Sequence, residues 1–468
     1  MTDDIAFMPA MDLVDAYRRG RISPVEATKA ALARIEKHNA TLNVYCHIDR
    51  DGALKTARES EARWKKGEPK GLVDGVPMPV KDSLQVVGMP MRSGSKASST
   101  APMTEDTSHV AAARRHGAVF LGKATTPEYG LGAVTISPLT GVSRNPWDPS
   151  RTCGGSSGGP AAACAAGMGN AALGTDAGGS IRIPAAFNGL VAMKASNGRV
   201  PVHPASWVPM LFSVGALTRT VGDQAQLMNV ITEPEPRDPN TLPYDGVNYR
   251  HTLDEGVRGL RIAFSRTLGF AAYLDPELVE IVADAVEVFE ELGARVEEKD
   301  PGFANPGGHF RNILFPHFVR FASRFGPEQF ALLGDTAKAS FENGKKVTID
   351  DHLAALEARA ALIRHMHAFH KDYDLLVTPM TAVPPFAADR WGPPELEKTG
   401  DIRAWAPFGN PFNLTGQPAI SIPCGFTKGG LPIGLQIVGP RFGDRRVLRA
   451  AAAFEQARSF VKRRPPLG

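Results

Sequence analysis

The stretch TCGGSSGGPAAACAAGMGNAALGTDAGGSIRIPAAFNG, residues 152–189, concentrates glycine around serine. It contains two serine sites, Ser156-Ser157 and Ser180, each flanked by paired glycines. No histidine lies within it. Glycine in such segments often marks tight turns, and it also lets another molecule approach the backbone closely. Either role is open at this point, and a chemical role requires a base from elsewhere in the chain.

Two familiar motifs compete for this stretch. A phosphate-binding loop needs a lysine directly after its last glycine, and none is present. The pattern G-x-S-x-G occurs twice, centred on Ser156 and on Ser157, and is typical of the nucleophile of an α/β-hydrolase. That enzyme class needs a later histidine, and most candidates fall on helical patterns where solvent exposure is expected. The candidates are His309, His317, His352, His365, His367 and His370.

Ser180 has the surroundings of a nucleophile. It follows Gly178-Gly179 and precedes a predicted helix, SIRIPAAF. The backbone N–H groups at a helix start are unpaired, and glycine lets a carbonyl reach them. We expect the N–H groups of Ala177, Gly178, Gly179 and Ser180 to form an oxyanion hole, in which one donor is typically worth about 2.7–4 kcal/mol.

The candidate base is Lys81, which interrupts the apolar segment VPMPVKDSLQV at residues 76–86. A neutral lysine there requires its pKa to fall from about 10.4 to about 7, a shift that burial is known to cause. From the residues alone, a structural lysine or an ion pair is the favoured interpretation.

The composition of the chain excludes several classes of protein. The chain has 468 residues, a hydrophobic content of 43% and a net charge of +4, which gives no reason to expect a nucleic-acid partner. No apolar run reaches about 20 residues and no secretory signal is visible, so we expect a cytoplasmic protein without a membrane partner. The four cysteines form no CxxC pair. We therefore expect no metal, no disulfide and no cofactor.

Strand and helix patterns alternate along the whole chain, which predicts an α/β fold with a mostly parallel or mixed sheet. Ser23, Pro24 and Glu26 predict the capped start of a helix. Residues 260–298 predict a strand, an amphipathic helix and a second strand. The proline-rich stretch 379–395 is interpreted as a loop over the surface or the site mouth. No linker divides the chain, so one domain over residues 1–468 is expected.

Three motifs together resemble the amidase signature family: PVKD at 79–82, GGSSGG at 154–159 and GTDAGGSIRIPAAFNG at 174–189. That family includes fatty acid amide hydrolase, malonamidase and the A subunit of the glutamyl-tRNA amidotransferase. The likeness extends over nearly all of the chain, with a signature core at about 70–225. It implies a large mixed central β-sheet covered by helices on both faces. It also implies hydrolysis of a small-molecule carboxylic amide to a carboxylate plus an amine or ammonia.

The resemblance implies a Ser–cis-Ser–Lys triad. Lys81 would be the ultimate base and acid, Ser156 the bridging serine after a cis peptide bond, and Ser180 the serine that forms the acyl-enzyme. Supporting residues are implied too: Ser157 as a hydrogen-bond partner of the lysine, Asp176 and Arg182 as braces of the loop, and Tyr129, Gly130 and Leu131 as substrate-lining residues.

Two departures separate the chain from the amidotransferase subunit. Ile183 stands where that subunit usually carries glutamine, and residues 211–223 lack its usual SSLDQIGP. A stand-alone amidase is therefore favoured. The alternatives are an A subunit of an amidotransferase-like complex and a non-hydrolysing binding subunit on the same fold. A homodimer is compatible with the sequence.

The substrate is not defined by the sequence. The segment 303–325 carries six phenylalanines at near-helical spacing, which favours core positions. Those that line a pocket would favour an apolar or aromatic substrate, whereas His309, His317 and Arg320 would suit a polar one.

Overall fold

The lysine and serine motifs follow neighbouring strands of one large β-sheet. The computed structural model describes residues 2–399, 401 and 403–467. Within these residues, eleven strands form the main sheet and two form a short hairpin. The strands are β1 (Tyr45–Ile48), β2 (Pro77–Lys81), β3 (Val119–Ala124), β4 (Ile136–Ser137), β5 (Gly141–Val142), β6 (Ala172–Asp176), β7 (Val191–Lys194), β8 (Ser213–Thr218), β9 (Arg261–Phe264), β10 (Arg295–Glu298), β11 (Leu375–Pro379), β12 (Ala419–Phe426) and β13 (Pro432–Val438).

Helices cover and connect these strands. No helix among the described residues combines the length and the apolar character needed to cross a bilayer. The helices are α1 (Thr2–Ala6), α2 (Ala10–Arg18), α3 (Pro24–Leu42), α4 (Arg50–Lys66), α5 (Ser108–Arg115), α6 (Gly158–Ala165), α7 (Arg182–Asn188), α8 (Val221–Ile231), α9 (Pro276–Glu291), α10 (Gly307–Ala322), α11 (Pro327–Ala331), α12 (Asp335–Lys345), α13 (Ile349–Asp372), α14 (Asn410–Leu414) and α15 (Asp444–Ala457).

The main sheet is mixed, as the sequence predicts. Its strand order is β1-β3-β2-β6-β8-β7-β12-β13-β11-β9-β10. Strand β2 is parallel to β3 and to β6, whereas β8 is antiparallel to β6 and β7. Because parallel strands end at the same edge of a sheet, the end of β2 at Lys81 lies beside the end of β6 at Thr175 and Asp176.

The two faces of the sheet pack against different sets of helices. On β6, Leu173 belongs to a core with residues of α8, α9 and α15, and its neighbour Ala172 belongs to a core with residues of α6 and α7. Ile420 and Ala419 on β12 divide between two cores in the same way. Successive side chains of a strand point to opposite faces, so both faces are buried under helices.

Two local predictions are confirmed: the capped start of a helix at Ser23 and the strand–helix–strand segment at residues 260–298. Ser23 caps α3, where its hydroxyl accepts from the Glu26 N–H and the Glu26 carboxylate accepts from the Ser23 N–H. Residues 260–298 form β9, α9 and β10, and the apolar side of α9 is buried.

The interpretation of residues 379–395 as a loop over the surface or the site mouth is wrong for most of the segment. Met380, Ala382 and Phe386 are buried in the core, and the Phe386 carbonyl accepts from the Thr152 N–H at 2.7 Å. Proline punctuation correctly indicates irregular backbone, but the apolar residues between the prolines pack beneath the start of the serine stretch.

The burial of β13 gives a test of this architecture. Leu435, in the middle of β13, is fully buried, whereas Leu353 on α13 is 51% exposed. We expect Leu435→Ala to lower the free energy of unfolding by about 2–5 kcal/mol, because it leaves a cavity in a packed core. Leu353→Ala is the matched control and should change it by at most about 0.5 kcal/mol. Denaturant unfolding followed by tryptophan fluorescence measures both, and equal effects would contradict the burial of β13.

Candidate active site

The serine loops open into one large cavity of about 1210 Å³. Ser156, Thr175 and Ser180 line it, together with Ala177 and Gly178. These residues end β6, follow it, or precede α6 and α7. The edge of the sheet where parallel β2 and β6 end therefore carries the candidate site.

Lys81 lies fully buried behind this wall. Its Nζ donates to the Ser156 Oγ at 2.7 Å and to the Thr175 Oγ1 at 2.7 Å. Burial lowers the pKa of the lysine to about 7, and the negative charge of Asp176 opposes that fall. Lys81 is thus buried between a serine and a threonine hydroxyl, and with this pKa a large fraction of it is uncharged at neutral pH.

Ser156 sits in a tightly packed turn. The Gly155–Ser156 peptide bond is cis, as the family resemblance implies. A Cβ on Gly155 would lie 2.8 Å from the backbone carbon of Val134, so no larger residue fits. The glycine before the serine is therefore required by close packing of two backbone segments.

Ser180 faces the cavity with a free hydroxyl. Within the described residues its side chain makes no hydrogen bond, while its carbonyl accepts from the Ser157 N–H at 3.0 Å. The structure thus joins Lys81 to Ser156 directly and places Ser180 in the same cavity, without a hydrogen bond between the two serines.

The predicted oxyanion hole needs one correction. The Gly179 N–H donates to the Asp176 Oδ1 at 2.7 Å, so the carboxylate occupies this donor. The N–H groups of Ala177, Gly178 and Ser180 have no acceptor among the described residues. Three backbone donors, not four, remain for a ligand.

A buried ion pair holds this loop in place. Arg182 and Asp176 are both fully buried, and the Arg182 Nε donates to the Asp176 Oδ2 at 3.0 Å. Burial alone would raise the pKa of Asp176, but the charge and hydrogen bonds of Arg182 and the donors of Asn413 and Gly179 bring it well below its usual range. Arg182 also donates to Gln436 and to Asn413, each at 2.7 Å. Hydrogen bonds to Gln436, Asn413 and the Gly179 N–H thus connect the Asp176–Arg182 pair to the surrounding backbone and side chains.

Ser157 does not contact the lysine as the resemblance implies. Its Oγ donates to the Thr175 carbonyl at 3.1 Å and accepts from the Thr175 N–H at 3.2 Å. These two bonds join the start of α6 to β6, and the Thr175 hydroxyl takes the position beside the Lys81 Nζ. Ser157 is a structural link, and Thr175 is the second partner of the lysine.

Three residues of the site escaped the sequence analysis: Thr175, Asn413 and Gln436. Gln436 interrupts the apolar strand PIGLQIV, which is the same signal that identified Lys81. Asn413 lies in the short α14 and gave no local signal.

The histidines that an α/β-hydrolase would need do not reach the serines, and the nearby thiol of Cys153 is not activated. None of the six candidate histidines hydrogen-bonds Ser156, Ser157 or Ser180 among the described residues; His352 and His365, for example, bond the carbonyls of Asn312 and Pro301. Cys153 is buried, and burial raises the pKa of its thiol to about 12. The described residues also hold no group of three or more His, Cys, Asp or Glu side chains that could bind a metal.

Tyr129, Gly130 and Leu131 line the cavity, where the resemblance places them. A Cβ on Gly130 would lie 3.4 Å from the Ser156 Oγ, so this turn borders the bridging serine directly. The ring of Tyr129 packs against Phe321 at 5.1 Å between centroids.

The aromatic segment 303–325 divides between core and cavity. Phe318 is buried and Phe303 packs on Phe270. Four of its phenylalanines line the cavity, namely Phe310, Phe315, Phe321 and Phe325, and so do several of its polar residues, among them His317 and Arg320. Phe310, Phe321 and Phe325 also pack against core residues. The helical spacing therefore correctly indicates packing, but it does not reveal that α10 forms a wall of the cavity.

Comparison with known proteins agrees with this site. Residues 26–448 match the family model described as Amidase. The chain is 32% identical to an acylamidase of Rhodococcus erythropolis over 99% of this chain and 98% of the relative. It is 34% identical to the A subunit of the glutamyl-tRNA(Gln) amidotransferase of Moorella thermoacetica, with 99% of each chain covered. A solved bacterial aryl acylamidase of the amidase signature family superimposes with a TM-score of 0.90, at 29% identity and 97% coverage of both chains.

The fold and these relatives thus define an α/β enzyme of the hydrolase class. The chain belongs to the amidase signature family, and it is a hydrolase that acts on amide C–N bonds.

The buried ion pair leads to a stability prediction. Asp176→Asn leaves the Arg182 charge buried without its counter-charge, which typically costs about 3–5 kcal/mol. Asp15→Asn is the control, because Asp15 pairs with Arg18 at the exposed surface, where such pairs contribute about 0–1 kcal/mol. Chemical denaturation measures both variants, and a small effect at Asp176 would show that the pair does not hold the loop.

Proposed function

We propose that the protein is a stand-alone amidase that hydrolyses small carboxylic amides through an acyl-enzyme on Ser180, with Lys81 and Ser156 as its proton relay. One observation carries this proposal. The buried Lys81 Nζ lies 2.7 Å from the Ser156 Oγ, and burial lowers the pKa of the lysine to about 7. A lysine of ordinary pKa would be protonated at neutral pH and could not accept a proton.

Acylation begins when the Ser180 oxygen attacks the carbonyl carbon of the amide. The Ser180 proton passes to the Ser156 oxygen as the Ser156 proton passes to the Lys81 Nζ. The carbonyl oxygen becomes negative, and the N–H groups of Ala177, Gly178 and Ser180 would bind it. Each donor aimed at such an oxyanion is typically worth about 2.7–4 kcal/mol in the transition state.

The relay then runs in reverse to release the amine. The C–N bond breaks while Lys81 returns its proton through Ser156 to the departing nitrogen. This protonation is needed because an amine anion is too basic to leave. The amine or ammonia departs neutral, and the acyl group remains as an ester on Ser180.

Water completes the cycle by the same route. It attacks the acyl carbon while giving a proton to Ser156 and Lys81, and the proton then returns to the Ser180 oxygen as the ester bond breaks. The products are a carboxylic acid and the regenerated serine, so atoms and charges balance without a cofactor.

The lining of the cavity supports an apolar or aromatic substituent near the scissile bond. We call residues 177–180 the oxyanion loop. Phe310 packs against this loop, and a Cβ on Gly178 would lie 2.9 Å from its ring. Phe321, Phe325 and Tyr129 extend the aromatic wall further from Ser180. An acylated arylamine would place its ring against these side chains, and the relation to acylamidases is consistent with that substrate.

The similarity to the A subunits of amidotransferases makes such a complex-forming protein the second candidate. The residue that argues against it is Ile183, which stands where those subunits usually carry glutamine. Ile183 is 2% exposed and lines the cavity, so an apolar side chain replaces an amide beside the oxyanion loop. Turnover of simple anilides by the purified single chain would support the stand-alone amidase. Hydrolysis that requires a second protein would instead favour the amidotransferase alternative.

The nucleophile can be tested by covalent labelling. We expect a fluorophosphonate to add to Ser180, giving a mass increase on the peptide that contains it and loss of anilide hydrolysis. Ser180→Ala should take up no label and should lose at least about 10³-fold in kcat, because no acyl-enzyme can form. Ser98→Ala is the control, since Ser98 lines the same cavity and its hydroxyl lies 3.2 Å from the Tyr129 hydroxyl. Equal labelling of wild type and Ser180→Ala would exclude Ser180 as the nucleophile.

The relay predicts a pH profile with a defined sign. Protonated Lys81 is inactive, so kcat/KM should fall about tenfold per pH unit below pH 7 and level off on the alkaline side. Lys81→Ala should remove both the activity and the profile.

The chain offers a matched control for the lysine. Lys194 is also fully buried, and burial lowers its pKa to about 7, but it donates to the Ala195 carbonyl and not to a site serine. Lys194→Met should keep the profile of the wild type. A profile that disappears with Lys194 and persists without Lys81 would refute the relay.

A further inference from the structure

The charged side chains around the cavity are almost all of one sign. Among the described residues that line it, Asp401 is the only carboxylate, whereas four arginines are present. These arginines are Arg311, Arg320, Arg324 and Arg403. A cleft lined by one sign of charge focuses its electric field and attracts ligands of the opposite sign. Neither the proton relay nor the oxyanion hole uses any of these four side chains.

The side chain of Arg311 is directed toward the end of α10 that adjoins the oxyanion loop. Its Nη1 lies 3.7 Å from the position that a Cβ on Gly307 would occupy, and Gly307 lines the cavity. The preceding residue, Phe310, packs its ring against Gly178 of the oxyanion loop. The charge of Arg311 is therefore placed on the wall that borders the proposed nucleophile.

Arg403 reaches the same part of the cavity from another segment. Its guanidinium carbon lies 5.6 Å from the centre of the Trp391 ring, and this ring would be 2.9 Å from a Cβ on Gly132, which lines the cavity. The segment that begins at Arg403 continues to Gly409, whose Cα would be 3.2 Å from a Cβ on Gly179. Both arginines thus belong to segments that pack directly on the oxyanion loop.

The two guanidinium groups lie near each other and lack an anionic partner. Partial burial lowers the pKa of Arg403, the charge of Asp401 opposes this fall, and the charge of Arg311 adds to it. Within the described part of the chain, neither guanidinium makes a hydrogen bond or an ion pair, whereas Arg390 pairs with Glu397 at 2.7 Å. Like charges repel, and partial desolvation strengthens this repulsion, so an anion bound between the two arginines would be favourable.

The chemistry of the pair suits a carboxylate. A guanidinium is a planar fork of N–H donors that matches the two oxygens of a carboxylate, and such charge-assisted hydrogen bonds are among the stronger ones in proteins. Arg311 and Arg403 are both exposed residues, so a molecule in the cavity can reach them. Because they share the cavity with Ser180, the carboxylate would belong to the same molecule as the reacting amide.

We propose that Arg311 and Arg403 form an anion subsite that binds a carboxylate carried by the substrate, away from the scissile amide. The inference rests on the proposed amidase function, since the amide group brings the carboxylate into the cavity. The preferred substrates are then acidic amides, with an apolar or aromatic portion against the phenylalanines of α10 and a carboxylate beside the two arginines.

Matched substrates test the subsite. One set consists of anilides with acyl chains of several lengths that end in a carboxylate or in a methyl ketone, which is a neutral group of the same shape. A second set consists of benzylamides that carry the same two groups on the ring of the amine, each separated from it by a methylene. Release of the amine gives kcat/KM, and the wild type should prefer the carboxylate member of at least one pair by about 10- to 100-fold.

Salt gives an independent measure of the same preference. Because both arginines are in contact with solvent, the preference should shrink several-fold when the ionic strength is raised from about 0.05 M to about 0.5 M. The rate for the ketone member is the internal control, since that substrate carries no charge.

Variants connect the preference to the two arginines. Arg311→Met and Arg403→Met should each reduce the ratio of the two kcat/KM values by at least about fivefold, and the double variant should bring it close to one. Arg311→Lys keeps the charge and should retain more of the preference than Arg311→Met. Damage to the fold would lower both members of a pair equally and would leave the ratio unchanged.

Arg324→Met is the matched control, because Arg324 lines the same cavity and has the same charge but follows the opposite end of α10. It should keep the ratio within about threefold of the wild type, since a charge in contact with solvent is screened over that distance. A ratio that disappears with Arg324 and persists without Arg311 and Arg403 would overturn the assignment of the subsite.

The outcomes separate the subsite from the proposed function. A ratio near one in the wild type for every pair would overturn the subsite and would identify the arginines as solvated surface charges only. Binding of the same compounds to Ser180→Ala, measured by calorimetry, needs no hydrolysis. If no amide is hydrolysed, the proposed function fails, and the preference in binding and its loss when Arg311→Met and Arg403→Met are added to Ser180→Ala still decide the subsite.

Discussion

The geometry of the site depends on the buried carboxylate of Asp176, which bonds several groups at once. Asp176 lies close enough to Lys81 to favour its charged form, yet its oxygens are occupied by Arg182, Asn413 and the Gly179 N–H. Desolvation outweighs this charge at Lys81, and the pKa of the lysine falls to about 7. The same ion pair fixes the turn that carries Ser180. The same carboxylate thus influences the protonation of Lys81 and the position of Ser180.

Much of this arrangement could be predicted from the sequence, because short local patterns indicate the lysine and the serines of the site. A lysine inside an apolar strand, a serine pair between glycines and a serine before a short helix each stand out within a dozen residues. The alternation of strands and helices likewise gave the mixed sheet. The family resemblance then supplied the register between these motifs, and the structure joins Lys81 to Ser156 as that register requires.

What the sequence could not supply depends on contacts across the chain. Asn413 and Gln436 accept hydrogen bonds from Arg182, although they lie 231 and 254 residues further along the chain. A local sequence pattern cannot predict which distant residue becomes the partner. The Gly179 N–H was expected to be free, because a motif does not reveal that a nearby carboxylate turns back onto it. The burial of most of residues 379–395 was missed for a related reason. Proline indicates an irregular backbone, but it does not indicate whether that backbone is exposed or buried.

The ring of Phe310 against Gly178 has a consequence for how such a protein changes. The proposed reacting groups come from the sheet edge and the two serine loops, whereas one wall of the cavity comes from α10, a helix of the second half of the chain. Substitutions on that helix can reshape the chamber while the strands, the ion pair and the lysine keep their geometry. Selectivity and reactivity are therefore encoded in separable parts of the polypeptide, so one can drift in evolution while the other is conserved.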